Sequence, residues 1–139
     1  MLLRRFWFPF NWSQVNNRTP SKADEVVAEI QKFGGIAVAD YSNVATEGEK
    51  CIEHCIQAFG HIHILINNAG ILRDTTFKKM TVDMLQEVLD VHVIGSFRCL
   101  KASWKHMNDQ KYGRIVTIGS QAAFWGGYGQ GNYAAAKGK

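Results

Sequence analysis

Tyr133 and Lys137 stand four residues apart in Tyr-Ala-Ala-Ala-Lys, a spacing that puts both side chains on one face of a helix. A phenol by itself titrates near pH ~10 and exchanges protons poorly at neutrality. A neighbouring ammonium favours the phenolate. The pair is therefore suited to moving a proton to or from an alcohol or carbonyl oxygen. Ser120, thirteen residues before Tyr133 and just ahead of a glycine-rich stretch, could hydrogen-bond the same oxygen. Taken alone, Tyr-x-x-x-Lys is also common on ordinary helix surfaces, so its surroundings must decide.

Other constellations point to less chemistry. Cys51 and Cys55 lie four apart, with His61 and His63 shortly after, so zinc is a natural question. Zinc ligands pair on turns that let four side chains converge. Here His61 and His63 straddle Ile62 at the start of an apolar run. With Cys99 the cysteines number three, no framework for disulfides. Buried reduced thiols and no metal centre are expected. Gly126, Gly127, Gly129 and Gly131 read as loop glycines, since no Gly-Lys-Ser/Thr turn follows them.

The elements that must position these residues follow from periodicity. Ser21 and Asp24 resemble a capping box. Ala23, Val26, Val27, Ile30 and Phe33 then recur at helical spacing until Gly34-Gly35. Residues 36–39 read as a buried strand ending at Asp40. A helix is expected over residues 46–59, stopped by Gly60, and a strand over 62–66 running into Asn67-Asn68-Ala69-Gly70. Residues 82–107 form a long helical pattern interrupted by Gly95, where another helix is expected to pack closely. Residues 114–118 are a third strand, and Ala134-Ala135-Ala136 begins a further helix. Apolar strands alternating with amphipathic helices predict parallel βαβ units in an α/β fold. Ligands in such sheets bind beyond the carboxyl ends of the strands. Three polar segments lie there: Asp40 to Val44, Asn67 to Gly70, and Ser120 onward.

Composition narrows the function classes. The chain has 139 residues, 46% hydrophobic and 20% charged, enough for one domain and too apolar for disorder. No apolar run reaches the ~20 residues of a membrane span. Four of the 16 basic residues (Arg4, Arg5, Arg18 and Lys22) precede the first acid, Asp24, and the remaining dozen balance the 12 acids. The net charge of +4 thus belongs to the N-terminus, and no nucleic-acid partner is expected. Residues 1–18 hold Phe6, Trp7, Phe8, Phe10 and Trp12 and no acid, which is compatible with a mitochondrial targeting peptide. Pro9 breaks any long amphipathic helix there, and a different start or a mispredicted exon is the plainer alternative. Residues 1–20 are left unassigned, and 21–139 form the expected domain.

Together, Asn67-Asn68-Ala69-Gly70 after one strand, Ser120 after another, then Tyr133 and Lys137 resemble the short-chain dehydrogenase/reductase family. The resemblance covers about residues 21–139. Gly70-Ile71-Leu72-Arg73-Asp74, Asp90-Val91-His92, Lys111-Tyr112-Gly113-Arg114-Ile115 and Gly129-Gln130-Gly131-Asn132-Tyr133 are most similar to the (3R)-hydroxyacyl-CoA dehydrogenase domains of peroxisomal multifunctional enzymes. This implies a doubly wound, Rossmann-like parallel sheet and an oxidoreductase. Hydride would pass between NAD or NADP, with NAD favoured, and the 3-hydroxy/3-keto carbon of a fatty acyl thioester. It implies Tyr133 as acid/base, Ser120 orienting the substrate oxygen, and Lys137 holding the nicotinamide ribose while favouring the Tyr133 phenolate. Asn43, Val44 and Asn68 would contact the cofactor, with Asp40 a neighbour. Peroxisomal location and homodimerisation in full-length relatives are implied too.

Two departures temper this. The family opens with a strand, a glycine-rich turn and a helix, and no glycine stands before residue 21. That unit and the later strands are expected to be missing, which makes the chain an internal fragment with no dehydrogenase activity of its own. His92 stands where most of the family has an asparagine in its proton relay, as the multifunctional-enzyme subgroup does. The rivals are a 3-oxoacyl carrier-protein reductase and a non-catalytic truncated product.

Overall fold

A computed structural model of the chain describes residues 12–138, in two compact units divided after Tyr41. In the first, strand β1 (Trp12–Asn16), helix α1 (Pro20–Lys32) and strand β2 (Ile36–Asp40) form a βαβ crossover. The strands are parallel, Trp12 opposite Ile36 and Asn16 opposite Asp40. No element was expected before Ser21. Trp-Ser-Gln-Val-Asn has little period of its own, and its partner strand supplies the ladder. Helix α1 begins at Pro20, whose fixed φ and missing N–H suit a first helical position. The Ser21–Asp24 capping box is not formed: Thr19 precedes the helix, and Asp24 accepts a hydrogen bond from the Tyr41 hydroxyl at 2.6 Å. Asp40 is buried and accepts from Asn16 Nδ2 at 2.5 Å, a ladder-end pair. The turn between β1 and α1, Asn17-Arg18-Thr19, contains no glycine. It therefore offers no pyrophosphate cradle of the glycine-rich kind. The targeting signal considered for residues 1–18 rests mainly on 1–11, which lie outside the described residues.

The second unit holds helix α2 (Val44–Phe59), strand β3 (Ile64–Asn67), a 3₁₀ turn (Phe77–Lys79), helix α3 (Val82–Leu89), a π-helical segment (Asp90–Gly95), helix α4 (Ser96–Asp109), strand β4 (Arg114–Thr117) and helices α5 (Ala122–Trp125) and α6 (Gly131–Lys137). Strands β3 and β4 pair in parallel, Ile64 opposite Arg114 and Asn67 opposite Thr117. The connection between them is the long expected helix, with its middle widened to π geometry. Gly95 ends that segment because helix α2 leaves no room: a Cβ there would lie 3.0 Å from Val44 Cγ2 and 3.1 Å from the Val44 carbonyl. Val44, Ile52, Ile62, Leu65, Cys99 and Met107 make the core, with Cys55, Ile56, Val91 and Leu100 packed on it. Each fully buried aliphatic chain of this kind contributes ~1.5–3 kcal/mol.

Burial of the strands departs from expectation. Leu65 is buried, but Ile66 is 60% exposed and Val116 44%. Alternate residues of a strand face opposite sides. The side bearing Ile64, Ile66 and Val116 has no covering layer among the described residues of this unit. Cys51, Cys55 and Cys99 form no disulfide with one another, and among the described residues no three His, Cys, Asp or Glu side chains gather as metal ligands.

Ahead of β3 the His61 and His63 rings lie 4.3 Å apart, and His63 meets Tyr112 edge-on at 5.5 Å. Lost solvation first, then the charge of His61, holds His63 below its usual 6.5. The unfolded chain therefore takes up a proton at His63 before the folded chain does. The contribution of this group to stability is complete above pH ~6.5 and is lost as pH falls through that value towards the folded one. Between about pH 7.5 and about pH 5.5, the urea midpoint is expected to fall further in the native chain than in His63→Gln. Equal falls in the two would show that His63 is not the group responsible.

Candidate active site

At the carboxyl edge of the β3–β4 pair two of the polar segments, Asn67 to Gly70 and Ser120 onward, leave the sheet. The N–H of Ile118 donates to the carbonyl of Asn67 at 3.1 Å, so the ends of the two strands leave the sheet side by side. Asn68 follows one and Ser120 the other. Asn68 is exposed, its N–H donating to the Ile66 carbonyl at 3.0 Å, and Asn67 Nδ2 donates to the Ser96 carbonyl at 3.4 Å. Ser120 is half-buried, and its Oγ accepts from the Ala122 N–H at 3.2 Å at the start of the short helix α5.

Helix α6 presents Tyr133 and Lys137 from successive turns. Lys137 is only 7% exposed, a rare state for an ammonium unless it is partnered. Its Nζ donates to the carbonyl of Ile118 at 2.7 Å and lies 5.7 Å from the centre of the Tyr133 ring. Lysine, tyrosine and the end of β4 are thus brought together. The Tyr133 ring also meets His92, edge-on at 5.3 Å and 83°. His92 is buried, and its Nε2 lies 3.1 Å from the Ile71 nitrogen and 2.9 Å from the Ile71 oxygen. Gly70 fits beside it for want of a side chain: a Cβ there would be 2.5 Å from His92 Cε1.

Asn43 and Val44 open helix α2. Asn43 is its N-cap, Oδ1 accepting from the Ala45 N–H at 3.2 Å. Val44 is a core side chain packed against Gly95. The path from Val44 through Gly95 and His92 to Tyr133 is one of direct contacts along the π segment, a geometry frequent at functional sites. Ser120, Asn68, Tyr133 and Lys137 are linked through the strand ends, whereas Asn43 and Val44 reach the group through the π segment. Two further polar side chains stand near Tyr133: His92, expected from sequence only as the residue at the family's proton-relay position, and Asn132, which sequence reasoning gave no role. Asn132 is fully buried, and its Oδ1 accepts from the Tyr133 N–H at 2.8 Å. The signal for it was its place within the Gly129-Gln130-Gly131-Asn132-Tyr133 motif.

The sequence profile of the short chain dehydrogenases matches residues 13–139. The chain belongs to the short-chain dehydrogenase family. Its α/β architecture is accordingly a partial Rossmann-like fold with parallel strands. The peroxisomal hydratase-dehydrogenase-epimerase of Saccharomyces cerevisiae is 52% identical over 115 residues, 83% of this chain and 13% of that protein. The full-length peroxisomal multifunctional enzyme type 2 from Drosophila melanogaster superposes with TM-score 0.73 at 43% identity, over 89% of this chain and 21% of the other. An NAD+-bound xylitol dehydrogenase gives TM-score 0.86 at 26% identity, over 91% of this chain and 50% of the other. This short-chain dehydrogenase sequence therefore spans 13% of the curated yeast relative and half of a solved neighbour.

The fit of Gly70 against His92 generates a direct prediction for this family member. Gly70→Ala must displace the His92 ring or the Ile71 backbone, and overpacking of this kind costs ~1–3 kcal/mol. Urea denaturation is expected to show that loss, together with a changed ring-current shift at Tyr133. An unaltered midpoint would mean that residues 70–71 do not rest on His92.

Proposed function

We propose that this chain carries the proton-transfer half of a nicotinamide-dependent dehydrogenase site acting on a 3-hydroxyacyl or 3-ketoacyl thioester. The observation that carries the proposal is the buried Lys137 ammonium, held at the Ile118 carbonyl beside the Tyr133 ring. In this reading Ser120 hydrogen-bonds the substrate oxygen, and Tyr133 gives or takes its proton. Lys137 favours the phenolate by its charge. An ammonium has three N–H donors, so Lys137 can keep Ile118 and still hold ribose hydroxyls. The bound nicotinamide, NAD in preference to NADP, supplies or accepts the hydride at the substrate carbon. The fit is chemical: Asn43, Asn68, Tyr133 and Lys137 are amide, hydroxyl and ammonium donors without a carboxylate, and they suit a polyhydroxylated anionic nucleotide. Val44 would lie against its adenine.

The thioester and a peroxisomal setting are proposed from the similarity to the yeast and fly proteins. Homodimerisation is proposed on α4, where Phe97 and Trp104 are 60% and 64% exposed one turn apart from Lys101 on a shared face.

The decisive experiment places residues 13–139 in the yeast relative in exchange for the matching stretch. The chimera is expected to oxidise 3-hydroxyacyl-CoA with NAD+, and Tyr133→Phe within it to lower kcat by ~10²–10⁴-fold. A chimera that binds NAD+ but acts only on the acyl-carrier-protein thioester would move the site to the reductase class. An unchanged kcat in Tyr133→Phe would remove Tyr133 from the chemistry. The 139-residue chain by itself is expected to give no detectable turnover, because hydride transfer needs the nicotinamide held at near-attack distance. Its described residues offer no glycine-rich pyrophosphate turn to do so.

A further inference from the structure

We infer that Asn132 is a positioning residue for Tyr133, clamping the first turn of α6 to the loop that leaves Asn68. Asn132 has no solvent exposure. Its Nδ2 donates to the carbonyls of Arg73 at 3.0 Å and Met84 at 3.4 Å, while its Oδ1 accepts from the Tyr133 N–H at 2.8 Å. The orientation of the amide is dictated by its partners, since two carbonyls can only accept and an N–H can only donate.

Among common side chains only an amide of this length supplies both functions from one planar group. Aspartate would set an oxygen against two carbonyls, and alanine would take this partner from the Arg73 and Met84 carbonyls and the Tyr133 N–H together. The neighbouring contacts run the same way. The Thr75 N–H donates to the Gly129 carbonyl at 3.0 Å, and Gln130 Nε2 donates to Asp74 Oδ2 at 3.1 Å. Gln130 is partly open to solvent and its bond to Asp74 is exposed, so water can replace it. The bonds of Asn132 have no such substitute.

Residues 70–75 are therefore held at one end by His92 and at the other by the turn before Tyr133. Because the Tyr133 backbone is bonded to Asn132 and its ring rests on His92, the position of its hydroxyl relative to the Asn68 loop is set by Asn132. The inference rests on the assignment of Tyr133 to proton transfer only for its functional meaning. Its geometry can be read without turnover.

The test is NMR on the 139-residue chain. In the native protein the Nδ2 protons of Asn132 are expected to exchange with water at least about tenfold more slowly than those of exposed Asn68 and Asn108. Equal exchange would overturn the clamp, whatever the variants do. In Asn132→Ala and Asn132→Asp, the cross-peak between the His92 and Tyr133 rings is expected to disappear, and the Tyr133 amide to lose about tenfold in protection. Ser103→Ala is the control: Ser103 is equally buried, with Oγ donating to the Leu100 carbonyl at 2.9 Å, remote from Tyr133 in sequence. It is expected to lower stability and leave both Tyr133 signals intact. If Ser103→Ala moved them as much, or if the Asn132 variants kept them, Asn132 would be ordinary core and the inference wrong. Failure of the Tyr133→Phe chimera test would instead remove the catalytic meaning of Tyr133 and leave these NMR outcomes unchanged.

Discussion

The parallel pairing of Ile64–Asn67 with Arg114–Thr117 governs the second unit. Two parallel strands cannot be joined by a hairpin. The chain must leave the carboxyl end of one and return to the amino end of the other, and a helical crossover is how it does so. That demand accounts for α3, the π segment and α4 together. It also explains why Asn68 and Ser120, far apart in sequence, emerge beside each other. Had the strands paired antiparallel, the two polar segments would sit at opposite ends of the sheet. Lys137 adds a second tie at the same edge by reaching the Ile118 carbonyl, and helix α6 is thereby fastened to the end of β4.

Most groups at this edge also have structural work. Asn43 caps α2, Ser120 Oγ accepts from the Ala122 N–H ahead of α5, and Lys137 satisfies a carbonyl where the strand ends. Each such hydrogen bond is worth only ~0.5–1.5 kcal/mol net, but leaving a buried partner unpaired costs ~1–3 kcal/mol. A site built this way is rigid before any ligand arrives, the condition under which oriented donors are effective. The π segment has a comparable double use. Its wide turn lets Gly95 approach Val44, and it turns the His92 ring against Gly70 and Tyr133. Small residues at 70 and 95 are the steric requirement for that arrangement.

Residue type and spacing were sufficient for much of this. The alternation of apolar strands with amphipathic helices implied parallel α/β structure, and glycines at 34–35 and 60 marked helix ends where they occur. Gly95 was readable as a point of close packing, because a glycine within an otherwise helical pattern needs such a reason. The Tyr133–Lys137 spacing and the Asn67-Asn68-Ala69-Gly70 turn carry the family resemblance in the sequence itself. Strand β1 was not readable, since its five residues owe their conformation to β2 rather than to an internal period. The Ser21–Asp24 box was misread because a local motif cannot reveal that Tyr41 competes for the same carboxylate.

What the sequence by itself determined was therefore local: which segments can be helix or strand, and which side chains are able to exchange a proton. Tertiary structure alone decided that Ile66 and Val116 face outward, because exposure depends on what covers a sheet and not on the strand's own polarity. It alone decided that the continuous helical pattern over residues 82–107 would widen at Asp90–Gly95, where the chain meets Val44 of another helix. The surroundings of Tyr133 belong to the same class. His92 and Asn132 touch it directly and are held there by backbone groups of residues 71, 73 and 84, and backbone groups are the same in every sequence until the chain has folded around them.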